Sequence, residues 1–264
     1  MRSKSFKLPK EHGAWAMLYV PFIVGVIVGG KFSLPSLLLL FSISFLFISR
    51  PSLHACWRAW RKKEKQGAEA KWLLILVSLA ALAGLPLLVV YDLRGVIFLG
   101  AAAASLLVVN AEQATRREDR TVANEIMAIL GLTLSAPAAF YVETNRVDLK
   151  ALCLWAMCAL YFASSVFYVR LRVYSVNPRK EREKRRLWRH CAFYHLFLLL
   201  SLASLAITGN IGIFAFIAFA PALFRSFWSM FVPPAGLNLK KIGVLEIVYS
   251  IIFLVFASMS FASQ

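Results

Sequence analysis

An all-α bundle of membrane-spanning helices is the fold class this sequence predicts, and three observations predict it. First, 60% of the 264 residues are hydrophobic and only 16% are charged, with a mean hydropathy of +0.69. A soluble domain of this size could not hide that much apolar surface. Second, the apolar residues fall in runs near the roughly 20 needed to cross a bilayer as a helix. Third, the cations collect in alternate connections between those runs, as the inner loops of multi-pass proteins do.

Nine spans follow, at about 13–30, 33–49, 72–91, 95–110, 124–142, 151–169, 191–208, 211–224 and 242–261. They make one integral membrane domain over 1–264. The first opens after a basic N-terminus and ends at Gly29-Gly30, which lead straight into the second, so it reads as an uncleaved helix. Tight connections at Gly30-Lys31-Phe32, Asp92-Leu93-Arg94 and Gly209-Asn210 predict antiparallel neighbours. The eighth run is short and is expected to continue through Phe227, Trp228 and Phe231 until Pro233-Pro234 stops it. Pro86, Pro137 and Pro221 predict kinks, tolerable where neighbouring helices satisfy the freed carbonyls.

With nine spans, 26 of the 30 Lys and Arg residues fall on the N-terminal side, leaving Lys31, Arg94, Arg146 and Lys150 on the other. The expected orientation is N-terminus cytoplasmic and C-terminus outside. The formal net charge of +17 then belongs to loops facing an anionic leaflet and calls for no nucleic-acid partner. Cys56, Cys153, Cys158 and Cys191 lie at the inner ends or within spans, where structural disulfides are not expected.

Polar groups at the inner ends are the candidate functional residues. Lys10, Glu11 and His12 stand against the first span with Gly13 at the joint. Either they anchor and cap a helix at the interface, or Glu11 and His12 belong to a polar site. Between spans four and five come Asn110, Glu112, Gln113, Arg116, Arg117, Arg120 and Asn124. Unpaired polar groups near membrane depth are costly, so the amides and Glu112 are expected to face a cavity or a partner. Thr121 or Asn124 can cap the fifth span, and Glu125 suits its first turn. The second span ends in Arg50, His54 and Arg58, and the sixth in Arg170 and Arg172. His54 and Arg58, four apart, share a helix face, and Arg suits phosphate or carboxylate. The competing reading makes these cations positive-inside anchors. Deeper in the membrane, Arg225 and Glu246 are expected to form a structural ion pair.

Lys10-Glu11-His12-Gly13-Ala14-Trp15, the segment from Asn110 to Asn124, and Phe162 to Arg172 resemble the YwiC-like family of bacterial membrane proteins. That resemblance implies the bacterial cytoplasmic membrane. More distantly, nine spans with long inner connections after spans two and six resemble the UbiA prenyltransferase superfamily. There, carboxylate-rich motifs at the ends of helices two and six hold magnesium against a diphosphate. Here the corresponding segments, Arg50 to Arg58 and Arg170 to Tyr174, hold no Asp or Glu. Hard cations want oxygen ligands, so magnesium is not expected, and no other cofactor is specified.

Two function classes remain open. In the first, an inward-opening polar cavity binds an amphipathic ligand with an anionic head, such as an isoprenoid or lipid phosphate, with Glu11, His12 and Glu112 as the catalytic candidates of a magnesium-independent transferase. The second is a non-catalytic transporter or accessory protein, linked to haem or metal through His12, His54, His190 and His195. Membrane lipids are the expected partners in both.

Overall fold

The computed structural model describes residues 8–9, 12–64, 67–115, 121–176, 181–232, 236 and 239–262. Ten helices follow one another: α1 (His12–Gly29), α2 (Leu34–Arg61), α3 (Ala68–Val89), α4 (Gly95–Thr115), α5 (Val122–Thr133), α6 (Ser135–Thr144), α7 (Leu149–Ser175), α8 (Glu181–Ile207), α9 (Phe214–Phe231) and α10 (Leu239–Ala262). Among the described residues, eight segments are long and apolar enough to cross a membrane, and α5 with α6 counts as one of them. The shorter α1 is apolar as well and, at 18 residues, spans about 27 Å. The chain is a multi-pass α-helical membrane protein.

The predicted fifth span divides at Leu134. Pro137 has no N–H to offer the Thr133 carbonyl, and the helix restarts at Ser135. The α6 segment is the most enclosed part of the bundle, with every residue from Ser135 to Glu143 buried. Its small side chains let α1 close on it, the packing that drives helix association in lipid. A Cβ on Gly25 would overlap the Ala136 carbonyl oxygen, so that crossing needs glycine.

Around this seam α1 packs on α6 and α10, α2 lies against α3, α4 and α6, and α7 joins α5, α6, α8 and α9. One apolar cluster joins Phe22, Val26, Leu39, Leu87, Ala139 and Tyr141. A larger one is built on Leu154, Met157, Tyr161, Leu198, Phe219 and Phe253, with the Tyr161 and Phe253 rings stacked 4.0 Å apart.

Hydrogen bonds define two opposite ends. At one, Ser33 donates through N (3.2 Å) and Oγ (2.8 Å) to Glu143, Gly95 N donates to Tyr141 Oη (2.9 Å), and Lys150 Nζ donates to the Phe261 carbonyl (3.2 Å). At the other end the helices outrun the apolar spans. Helix α2 continues from Ser49 to Arg61, α7 reaches Ser175, and α8 starts at Glu181 rather than 191. Arg50, His54, Arg58, Arg170 and Arg172 are therefore helical residues on rigid backbone. The α9 helix also runs unbroken to Phe231.

Candidate functional site

At the basic end α2 presents Arg50, Trp57 and Arg61, spaced seven and four apart and so on one face. That face meets α4. Arg50 Nη2 donates to Asn110 Oδ1 at 2.7 Å. Trp57 Nε1 donates to Glu112 Oε2 at 3.0 Å, and Arg61 pairs with Glu112 Oε1. Asn110, 3% exposed, passes the link to α5: its Nδ2 donates to Asn124 Oδ1 at 2.6 Å and to the Asn124 carbonyl at 3.2 Å. Asn124 is held in turn by the Thr121 cap, whose Oγ1 accepts from Asn124 N at 3.2 Å. The next bridge joins α7 to α5, where Arg170 grips both Glu125 oxygens, Nε at 3.1 Å and Nη2 at 3.0 Å.

Below Arg50 and Asn110 lies a cavity of about 330 Å³ between α1, α2, α4, α5 and α6. Its wall is apolar along most of its length, from Leu39 and Val96 at the far end to Met127 and Leu132 on the floor. Two of its polar side chains are already engaged: Ser42 Oγ donates to the Ala80 carbonyl (2.9 Å) and Ser135 Oγ to the Leu18 carbonyl (2.8 Å). Arg50 and Asn110 are the last lining residues on their helices toward the basic end. The result is a hydrocarbon-like slot headed by a guanidinium and an amide.

The sequence candidates separate accordingly. Arg50 and Asn110 line the cavity, and Asn124 supports Asn110. Glu112 does not line it and is held by Trp57 and Arg61. His54 is half-buried on α2, Arg58 is exposed, Gln113 and Arg172 are half-buried, and none of the four lines the cavity. Arg170 belongs to the Glu125 bridge. Lys10, Glu11, Arg116, Arg117 and Arg120 lie outside the described residues, as does the side chain of His12. Trp57, Arg61 and the pairing role of Glu125 escaped the sequence reading, although the Arg50-Trp57-Arg61 spacing carries the signal. Among the described residues no three His, Cys, Asp or Glu side chains gather as a metal-ligand set. His54 stands on α2, and His190 and His195 on α8.

A second polar centre joins α7, α9 and α10. Arg225 pairs with Glu246, Ser165 Oγ donates to Glu246 Oε2 (2.7 Å), and Arg225 Nη2 donates to Ser165 Oγ (3.0 Å). The guanidinium also lies over the Tyr168 ring at 4.7 Å and the Tyr249 ring at 5.5 Å. Aromatic faces attract a cation most where water is absent.

The sequence model of the YwiC-like protein family matches residues 8–140, which include every residue that lines the cavity. The chain is similar to the uncharacterized protein YwiC of Bacillus subtilis, 28% identical over 254 residues that cover 94% of this chain and 95% of the relative. It is also similar to an uncharacterized protein of Haemophilus influenzae, 23% identical over 248 residues with the same two coverages. No solved structure matches the chain.

Proposed function

The chain belongs to the YwiC-like family, and from that premise we propose that it binds an amphipathic ligand with an anionic head, the apolar part in the cavity and the head at Arg50. One observation carries this reading: an apolar cavity capped at one end by a guanidinium and an amide. Its volume of about 330 Å³ falls at the lower end of ligand pockets, about 300–1,000 Å³. Binding is favoured over transfer chemistry because, among the described residues, the lining holds no carboxylate and no histidine, while the acid candidate Glu112 is engaged by α2. Native mass spectrometry of gently purified protein tests the proposal. A stoichiometric anionic amphiphile is expected to leave with the protein. Adducts that mirror the bulk lipid composition, or none at all, overturn it.

The same reading places the basic end in the cytoplasm, because the nine-span topology assigns 26 of the 30 Lys and Arg residues of the sequence to the N-terminal side. Reporter fusions at Arg182 are expected to read cytoplasmic, and those at Glu143 and Gln264 external. A cytoplasmic signal at Gln264 would reject the nine-span orientation.

A further inference from the structure

Resting on that binding role, we infer that the cavity fills sideways from the bilayer and that its occupant is an anionic glycerophospholipid of the leaflet at the basic end. The argument begins with the mouth. Leu46 on α2 and Gly100 and Ala104 on α4 line the cavity and are also exposed, so its wall is open between these helices. The opening follows from the sequence of α4, Gly100-Ala-Ala-Ala-Ala104-Ser105, whose side chains are too small to close the gap. A Cβ on Gly100 meets nothing within 4 Å. Helix α3 packs along α2, and among the described residues Gly100, Ala101 and Ala104 on this side of α4 are exposed.

The mouth lies at hydrocarbon depth. Leu46 is about 18 Å along α2 from Leu34 and Arg50 about 24 Å, against a hydrocarbon core about 30 Å thick. A lipid chain entering beside Leu46 therefore leaves its phosphate one helical turn further on, level with Arg50. A cavity of about 330 Å³ is small for two chains, and an open side lets the second remain in the bilayer. Access from water is disfavoured at the basic end, where Arg50–Asn110–Asn124 and Trp57–Glu112–Arg61 bridge α2, α4 and α5. Guanidinium and phosphate make short, charge-assisted hydrogen bonds, so the head group is selected by charge.

The test uses the full chain in nanodiscs carrying phosphatidylglycerol or phosphatidylcholine with a photoreactive group on one acyl chain. Irradiation is expected to label the mouth at Leu46 and Gly100 and the floor at Met127 and Leu132, with phosphatidylglycerol several-fold ahead. Arg50→Gln should lower that floor labelling roughly tenfold, the loss of one charged hydrogen bond. The double variant Gly100→Phe, Ala104→Phe, which fills the mouth and leaves Arg50 intact, should abolish it. A monodisperse elution profile and a parent-like SDS-unfolding midpoint serve as the fold control for both variants, and a soluble short-chain alkyl phosphate probes the binding role apart from lateral access. Equal floor labelling by the two lipids, or labelling that survives the filled mouth, overturns the inference. Alkyl phosphate that binds in an Arg50-dependent way while neither lipid reaches the floor rejects lateral access and leaves the binding role standing. If no probe depends on Arg50, the binding role itself falls.

Discussion

Replacing Glu246 with alanine is expected to destabilise the bundle by about 3–5 kcal/mol, the cost of stranding a buried charge without its partner. The Arg225 side chain is 5% exposed and that of Glu246 21%, so neither water nor salt can stand in for the lost carboxylate. Ser165 would lose its acceptor at the same time, leaving only its bond from Arg225. The Tyr168 and Tyr249 rings offset part of the loss, since a desolvated cation over an aromatic ring gains about 2 kcal/mol. The measurement is the midpoint of SDS-induced unfolding, with Glu246→Gln as the conservative variant that keeps an acceptor for Ser165 and Arg225. Removing both charges in Arg225→Leu, Glu246→Leu should recover most of the stability, because an apolar pair of similar volume needs no desolvation. A Glu246→Ala protein within about 0.5 kcal/mol of the parent, the range of an inconsequential surface change, would reject the structural role.

This pair was legible in the sequence because charged residues inside spans are few, and a lone one at that depth needs a partner. Helix ends at the basic side were harder to read. The second span stops at Ser49 by hydropathy, but α2 runs to Arg61, since backbone hydrogen bonding is indifferent to where the membrane ends. Beyond Ser49 the helical period passes from apolar residues to Arg50, Trp57 and Arg61, which face α4 together. Pro137 was visible as a kink, but whether it bends or breaks the helix depends on what encloses the freed carbonyl. Here the segment divides at Leu134 under close packing by α1.

The cavity was the least legible feature. Charges announce themselves in a sequence, whereas a void depends on which helices stand apart. The Gly100 to Ser105 run is its one mark, and in isolation such a run reads equally well as a surface for close helix packing. Among the described residues the inner-end polar groups form three bridges: Arg50 with Asn110 and Asn124, Glu112 with Trp57 and Arg61, and Arg170 with Glu125. Each joins a different pair or trio of helix ends. Fixing three crossings explains why the amides and acids of this end are occupied, Asn110 by Arg50 and Asn124, Glu112 by Trp57 and Arg61, and Glu125 by Arg170.

Asn110→Asp is expected to separate this structural role from ligand binding. The native amide faces two ways, accepting from Arg50 through Oδ1 and donating to Asn124 through Nδ2. In Asn110→Leu both contacts vanish, and each lost hydrogen bond costs about 0.5–1.5 kcal/mol, more where the partner is charged. Structure and binding should then fall together. Aspartate keeps the shape and the acceptor toward Arg50 while adding a charge. It loses the bonds to Asn124, but the new ion pair with Arg50 compensates, so the unfolding midpoint should stay nearer the parent's than the leucine variant's. Binding should respond in the opposite sense. A carboxylate fixed beside the Arg50 guanidinium neutralises the charge that an anionic head group needs and repels that head directly. At roughly 1.5–3 kcal/mol for a hydrogen bond to a charged group, occupancy by an anionic amphiphile should drop at least tenfold. Native mass spectrometry on the parent, Asn110→Leu and Asn110→Asp proteins reads this as loss of the co-purified mass in a stably folded chain. If Asn110→Asp retains the ligand at the parent level, Arg50 is not the group that receives the anion, and its bond to Asn110 serves only to hold α2 against α4.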